Sequence, residues 1–307
     1  MPSFIVSKSI LVDTSQENVY DTLRDFKQWP AWSPWIIVEP DCQLDYASDG
    51  NSYTWDGSVI GTGDIKITSE EKPHIIRYQI SFVKPFKSSS EVTLRLEPVD
   101  NYIKITWTLY GSLPIFLFWM KPMMRASVGM DYLRGLNMLK DYLEKGSVST
   151  ALTFIGEEIF PGFSYIGIRK QSPIQEIAKE MEKDFEKLNT LSKELSIQQD
   201  VKAFSIYHKW DIVNATCNYT VGFPLSQETS SIPQDFTMGK IPSCQVYTVK
   251  HKGPYRHIGN AWSAVMMRSQ SRILKQKTNI HPFEIYENSP KNTAENALIT
   301  KVHFPIK

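Results

Sequence analysis

Residues 281–290 read HPFEIYENSP, and the middle of this stretch has the two-residue period of a β-strand. Phe283 and Ile285 point to one side of the strand, and Glu284 and Tyr286 point to the other. Glu284 is unusual because it is a carboxylate among apolar and aromatic positions. If its face is buried, the charge needs a hydrogen-bonding partner or a cationic ligand. An ordinary strand glutamate that faces solvent, or pairs with a lysine, is the alternative.

The stretch has a counterpart earlier in the chain, which indicates an internal duplication. Three segments occur twice in the same order, as a helix that begins near a proline, a strand and a second strand: residues 172–181 and 253–262, residues 204–207 and 283–286, and residues 221–225 and 302–306. With a strand before each helix, each copy is predicted as β-α-β-β, over about residues 160–226 and 243–307. The second copy has Glu284 where the first has Ser205.

The first half of the chain predicts an antiparallel sheet closed by a long helix. Residues 3–12 alternate as a strand, residues 16–26 have helical spacing, and residues 29–36 (WPAWSPWI) form an irregular loop because they contain two prolines. Five further alternating segments are separated by Pro, Gly, Asp and Asn: residues 53–60, 63–69, 75–82, 90–97 and 102–110. Residues 122–145 carry apolar side chains at steps of three and four, and Gly146 ends this predicted helix.

This order of elements, with DFKQWPAWSPW at residues 25–35 and GLNMLKDYLEK at residues 135–145, resembles the START-like helix-grip superfamily of the polyketide cyclase (SRPBCC) type. The resemblance implies a domain at residues 1–147 with a cavity between sheet and helix. It implies little about function, because the superfamily includes lipid carriers, hormone receptors and cyclases. Four side chains are predicted either to form a mouth that tolerates lipids or to cap the sheet beside the long helix: Trp119, Met120, Met123 and Met124.

A small, polar linker at residues 146–151 (GSVSTA) predicts the boundary before a second domain at residues 152–307. In this domain the turn and helix HKGPY..IG.AW and the strand FEIY resemble the GyrI-like family. That family is the effector-binding domain attached to multidrug-sensing and AraC-type regulators. The resemblance implies a ligand pocket between the two repeats, with aromatic walls and an acidic residue at its base.

The resemblance assigns the acidic position to Glu284. Tyr255 and Trp262 match the turn and the helix of the family, Tyr286 follows the acid, and Tyr207 occupies the corresponding place in the first copy. Aromatic faces with a single carboxylate suit flat cationic or amphipathic molecules. On helical spacing alone, Trp262 is equally a core residue or a pocket wall.

Composition narrows the classes of partner. The net charge is +1 and a helix-grip domain takes the place of a helix-turn-helix, so no nucleic-acid partner is predicted. The most apolar run, residues 113–120, is too short to span a membrane. Three cysteines without CxxC spacing indicate reduced thiols and a cytoplasmic location. The histidines show no paired ligand spacing, so neither a metal nor a cofactor is predicted.

The sequence therefore predicts an α+β protein, with a helix-grip antiparallel sheet and long C-terminal helix followed by a duplicated β-α-β-β domain. The predicted function is intracellular binding or sensing of a small hydrophobic molecule, cationic or aromatic, with a pocket in each domain. One alternative is an enzyme that hydrolyses strained electrophiles, because some stand-alone GyrI-like proteins resemble such hydrolases. Glu284 with Tyr255 or Tyr286 would then carry out the reaction. Another is a protein-interaction module that uses one pocket as a docking groove.

Overall fold

A computed structural model describes residues 3–84, 87–194, 202–225 and 232–307. The chain divides into two units, Met1–Ser149 and Thr150–Lys307. Each unit is built on its own antiparallel sheet, with seven strands in the first and eight in the second. The predicted α+β class, a helix-grip sheet followed by a duplicated domain, is confirmed by this arrangement.

The first unit is a seven-stranded sheet with two helices. Its elements in chain order are β1 (Ser3–Val12), α1 (Gln16–Arg24), β2 (Gln43–Tyr46), β3 (Ser52–Gly57), β4 (Gly61–Glu71), β5 (Ile75–Lys84), β6 (Ser88–Val99), β7 (Tyr102–Ser112) and α2 (Lys121–Lys145). The strand order is β1-β7-β6-β5-β4-β3-β2, with every neighbouring pair antiparallel. The five segments predicted between residues 53 and 110 are all strands, whereas the short edge strand β2 was not predicted.

Local chemistry explains where the helices of this unit begin and end. The Ser15 side chain accepts a hydrogen bond from the Asn18 N–H and caps α1. The long helix α2 ends at Gly146, which adopts φ +73° and bonds its N–H to the Tyr142 carbonyl. The buried stripe of α2 packs on the sheet, and the Tyr132 ring stacks on Trp107 with 4.2 Å between ring centroids.

The tryptophan-rich loop is more regular than its prolines suggest. It forms two short 3₁₀ helices, Phe26–Ala31 and Ile36–Val38. The Trp29 indole N–H donates to the Leu23 carbonyl over 3.0 Å, which ties the loop to the end of α1. Glu39, which is buried, accepts backbone N–H bonds from residues 58–60 and so ties the loop to the β3–β4 turn.

The second unit contains the predicted duplication. Its elements are β8 (Ala151–Phe160), β9 (Phe163–Pro173), α3 (Ile177–Glu194), β10 (Phe204–Asp211), β11 (Thr216–Leu225), β12 (Thr237–Ile241), β13 (Cys244–Lys252), α4 (Gly259–Gln270), β14 (Phe283–Tyr286) and β15 (Ile299–Pro305). The strand order is β12-β9-β11-β10-β14-β15-β13-β8. The predicted end of the first copy, residue 226, lies outside the described residues.

The two copies exchange their outer strands. Each copy has one more strand than predicted, because β8 precedes β9 and β12 precedes β13. However, β8 pairs with β13 of the second copy, and β12 pairs with β9 of the first. The sheet is therefore symmetric in its connections about its centre, where β10 of one copy pairs with β14 of the other.

The predicted beginnings of the two helices were too early. The first predicted helix segment begins at Ser172, but Ser172 pairs with Cys217 as part of β9, and its hydroxyl donates to the Pro173 carbonyl. A residue before proline favours an extended backbone, so the strand continues to the proline. One 3₁₀ turn follows before α3, and likewise the turn Tyr255–His257 precedes α4.

Candidate functional site

The centre of the second sheet is a cross-strand pair of Ser205 and Glu284. The register of β10 on β14 pairs Phe204 with Ile285, Ser205 with Glu284 and Ile206 with Phe283. If the two copies are exchanged, the pair of Phe204 and Ile285 falls on the pair of Phe283 and Ile206. The pair of Ser205 and Glu284 falls on itself. The approximate two-fold axis of the unit therefore passes through this pair, and its two side chains are neighbours on the same face of the sheet.

This position explains why only one copy carries the acid. Two carboxylates directly opposite each other on neighbouring strands repel. Both positions are buried here, since Ser205 is 0% exposed and Glu284 is 2% exposed, so water would not screen that repulsion. A serine opposite the acid supplies a hydrogen-bond donor instead, with 3.3 Å between Ser205 Oγ and Glu284 Oε2. The two copies therefore differ at this position because Ser205 and Glu284 form a complementary hydrogen-bonded pair at the symmetry axis.

Neutral donors surround the Glu284 carboxylate. The Trp262 indole N–H donates to Oε1 over 2.5 Å, and the Tyr286 hydroxyl donates to Oε2 over 2.7 Å. No lysine or arginine in the described ranges lies within ion-pair distance of it. Burial raises the pKa of Glu284, and the bonds from Trp262, Tyr286, Tyr207 and Ser205 oppose this rise. The solvent-facing or lysine-paired alternative for Glu284 is wrong.

Aromatic side chains from five elements enclose this carboxylate. Trp262 on α4 meets the Tyr207 ring of β10 edge to face at 4.9 Å, and Tyr255 meets Tyr286 of β14 at 5.7 Å. Phe185 on α3 also meets Tyr286, with 5.8 Å between ring centroids. Tyr207 is buried, whereas Trp262, Tyr255 and Tyr286 are half-buried and keep some surface accessible. All five predicted site residues therefore lie in one cluster, and Trp262 is both a wall of it and part of the core.

The structure adds neighbours that sequence reasoning missed. Trp210 stacks on Tyr207 with 5.3 Å between centroids and is 39% exposed. Residues three apart on a regular strand point to opposite faces, but an irregularity between Tyr207 and Lys209 changes the register. Phe185 packs against the core beside α3, and no sequence signal distinguishes it from the other apolar residues of that helix.

The tyrosines of this cluster keep their protons at neutral pH, because their pKa values are raised. Burial raises the pKa of Tyr255 to about 12, and the negative charge of Glu284 adds to the rise. Burial likewise holds the pKa values of Tyr207 and Tyr286 well above their usual range. The tyrosines therefore remain hydroxyl donors, and the site presents one anionic group among neutral aromatic ones.

Three buried or half-buried histidines of the second unit have local partners. Burial lowers the pKa of His208, His251 and His303 to about 4, so these rings are neutral. Each one lies within 2.9 Å of a threonine hydroxyl: Thr220, Thr150 and Thr248 respectively. Across the part of the chain that the structure describes, no three His, Cys, Asp or Glu side chains are grouped so that they could hold a metal ion.

The first unit contains a small apolar cavity. Its volume is about 60 Å³, and it lies between the sheet, the tryptophan-rich loop and α2. Trp29, Trp35, Trp55, Trp107 and Tyr132 contribute to its lining. Ligand pockets for drug-sized molecules occupy about 300–1,000 Å³. The cavity as it stands therefore admits only a very small molecule.

Fold and site together define a two-domain protein of small-molecule-binding type, with a buried acid among aromatic side chains in the second domain. Family models agree with this description. The model for polyketide cyclase/dehydrase and lipid transport proteins matches residues 3–144, and the model for the GyrI-like small molecule binding domain matches residues 157–307. The chain thus consists of an SRPBCC-type domain followed by a GyrI-like domain, as the sequence predicted.

Solved structures resemble parts of the chain. The solution structure of the Aha1 dimer from Colwellia psychrerythraea is 20% identical, with a TM-score of 0.36, and the match covers 47% of this chain and 98% of that one. The crystal structure of the EcmrR C-terminal domain is 18% identical, with a TM-score of 0.38 and coverage of 52% and 96%. EcmrR bound to DNA is 15% identical, with a TM-score of 0.42 and coverage of 62% and 69%.

A search of curated proteins found no match. Among the described residues, no helix is both long enough and apolar enough to cross a membrane.

Proposed function

We propose that the second unit binds a flat organic cation, with the aromatic side chains against its rings and Glu284 against its charge. The observation that carries this proposal is the buried carboxylate, whose hydrogen-bond donors among the described residues are all neutral. An anion in such a place lacks a full counter-charge, and a cationic ligand supplies one. The half-buried rings of Tyr255, Tyr286 and Trp262 add cation–π attraction and contact area.

The first unit supplies a second ligand site for the same function, and this site is apolar. Its cavity has aromatic walls and suits a hydrophobic molecule once side chains move to enlarge it. The protein then acts as a binding or sensing protein with one pocket in each domain. The three cysteines are free and buried, which fits a reducing compartment such as the cytoplasm.

Calorimetric titration with two dyes of similar shape, one cationic and one neutral, tests this proposal. In Glu284→Gln, the loss of a desolvated charge pair weakens the cationic dye by about 2–5 kcal/mol, or about 30-fold to several thousandfold. The neutral dye keeps its affinity, because the shape of the site is unchanged.

Glu287→Gln is the matched control. It removes the same charge three residues along the chain, where the carboxylate pairs with Lys202 and Lys301. We expect both dyes to bind this variant as they bind the wild type. Equal affinities of the cationic dye for the two variants would exclude Glu284 from the site.

Hydrolysis of a strained electrophile is the second candidate, and one observation favours it. Glu284, whose pKa is raised, lies in one cluster with Tyr255, and the pKa of Tyr255 is raised to about 12, so this tyrosine keeps its proton at neutral pH. In this reaction Glu284 accepts a proton from water, the hydroxide oxygen bonds to the strained carbon as the ring bond breaks, and Tyr255 protonates the carbon released. The proton on Glu284 then passes to the Tyr255 oxygen, which restores both groups.

Binding is the stronger candidate because both oxygens of Glu284 already accept hydrogen bonds, which weakens the carboxylate as a base. Mass spectrometry of a strained electrophile incubated with the protein separates the two functions. Recovery of the intact compound supports binding, and recovery with one water added supports hydrolysis. Under hydrolysis, Glu284→Gln abolishes turnover while the compound still binds.

A further inference from the structure

An exposed apolar segment follows the last strand of the first unit. Residues 113–120 read LPIFLFWM, without a polar side chain, and Ile115–Met120 form a 3₁₀ helix in which no residue is buried. Four large side chains stand in solvent, at 76% exposure for Ile115, 71% for Phe116, 63% for Phe118 and 65% for Trp119. This segment, together with the first turns of α2 to Arg125, is called the apolar tip below.

Leu113 and Met124 anchor the apolar tip on the core of its own unit, whereas the four exposed side chains of the tip do not serve that core. Side chains exposed to this degree contribute little to the free energy of folding, and contiguous apolar surface in water marks a site of interaction. The sequence offered two alternatives for this region, and the structure decides part of the question. Trp119 and Met123 are exposed, whereas Met120 and Met124 are half-buried, so the exposed pair do not cap the sheet.

From residue 101 to residue 130 every charged side chain is basic, although the exposed Glu91 of β6, opposite Tyr110, adds one acidic group at this end of the sheet. No Asp or Glu occurs between Asp100 and Asp131, whereas Lys121 and Arg125 lie within the tip. The β5–β6 hairpin adds Lys84 and Lys87, which are both exposed. Because β6 begins at Ser88 and runs antiparallel to β7, which ends at Ser112, this hairpin and the tip lie at the same end of the sheet.

We propose that the apolar tip is a docking surface for an anionic lipid bilayer. Exposed aromatic and aliphatic side chains next to basic ones are the pattern of segments that lie in the membrane interface. Phe118 and Trp119 enter the boundary between headgroups and acyl chains, while Lys121 and Arg125 meet the anionic headgroups. A protein interface would instead surround its apolar centre with a polar rim, and nothing in the tip supplies acidic or amide groups for one.

Docking of this kind is peripheral and reversible. Only a few side chains enter the interface, and the proposal requires no helix to cross the bilayer. It is independent of the ligand proposed for the second unit, because it uses only residues of the first. Binding is expected to weaken as salt rises, since part of the attraction is between exposed charges.

Flotation of the full-length protein with vesicles tests the proposal. Vesicles of phosphatidylcholine alone are compared with vesicles that also contain phosphatidylglycerol. The wild type floats with the anionic vesicles and only weakly with the neutral ones. Phe118→Ser with Trp119→Ser lowers the partition coefficient by about 30-fold or more, because the variant lacks the two aromatic side chains that enter the bilayer. Lys121→Gln with Arg125→Gln lowers it about 30-fold on anionic vesicles only.

Ile159→Ser is the control variant. Ile159 is 79% exposed on β8 of the second unit, so it tests the loss of exposed apolar surface elsewhere. It is expected to float as the wild type does, and the melting temperatures of all variants are expected to match, since the changed side chains lie in solvent. Absence of wild-type binding to anionic vesicles would overturn the proposal. So would a tip variant that converts a dimer to a monomer in sedimentation velocity without changing flotation, because the tip would then bind a second copy.

Discussion

Replacing Trp262 by phenylalanine keeps an aromatic ring beside Tyr207 but removes the N–H that donates to Glu284 Oε1 over 2.5 Å. The acceptor is 2% exposed, so water does not replace the lost donor. A hydrogen bond to a charged group contributes about 1.5–3 kcal/mol, and one to a neutral group about 0.5–1.5 kcal/mol. The free energy of unfolding of the second unit should therefore fall by about 1.5–3 kcal/mol while Glu284 is ionised.

The pH dependence of this loss is the diagnostic result. Burial already raises the pKa of Glu284 in the folded state, so its ionisation destabilises the fold, and stability is lost as the pH rises through that value. Removing the Trp262 donor raises this pKa further, because the donor favours the charged form. The variant should therefore lose most at high pH and progressively less as the pH falls. The smaller ring also leaves a gap, but the cost of that gap does not depend on pH.

Urea unfolding followed by far-ultraviolet circular dichroism, from about pH 5 to about pH 8, measures the loss. Trp210→Phe is the matched control, because that indole is 39% exposed and donates no hydrogen bond within the described chain. Its effect should be the same at every pH. In a Glu284→Gln background, the pH-dependent part for Trp262→Phe should vanish. A loss that is constant across the pH range, or that persists in that background, would refute the reasoning.

Three further predictions follow from other contacts. Ser205→Glu places two carboxylates opposite each other at the symmetry axis and should destabilise the second unit by more than about 3 kcal/mol at neutral pH, with recovery in acid or on adding Glu284→Gln, as thermal melts would show. Glu39→Gln weakens the bonds to three backbone N–H groups, so calorimetry should find a loss of about 1.5–3 kcal/mol confined to the first unit. Fragments 1–149 and 150–307 should each melt cooperatively, and if neither does while the whole chain melts cooperatively, the two units are not independent.

Elements with strong local signals were predictable from sequence. The alternating segments of the first half became β3 to β7, and the long apolar stripe became α2 with its end at Gly146. These predictions were correct because the side-chain period and the conformation of a glycine are set by residues close together in the chain. By contrast, β8 was interpreted as lying partly in a linker, since it is an edge strand whose partner β13 lies far along the chain.

The candidate site divides in the same way. The repeat and the GyrI-like resemblance identified Glu284, Tyr286 and the other aromatic residues, which the structure places together. Neither of them indicated that Trp210 turns towards Tyr207, because that depends on an irregularity in the pairing of β10 with β11. The ligand-binding role of the cluster stays a prediction that the titrations described above are designed to test.

By itself, the sequence determined that the second domain is a duplication, that its copies differ at Ser205 and Glu284, and that the tip of the first domain is apolar and basic. These are properties of residue order and composition. Only the tertiary structure decided that Ser205 pairs with Glu284 on the symmetry axis, that the carboxylate is buried among neutral donors, and that the apolar tip remains in solvent. Burial and strand register depend on contacts between residues far apart in the chain, and the free energy of a charge or an apolar ring depends on whether water reaches it.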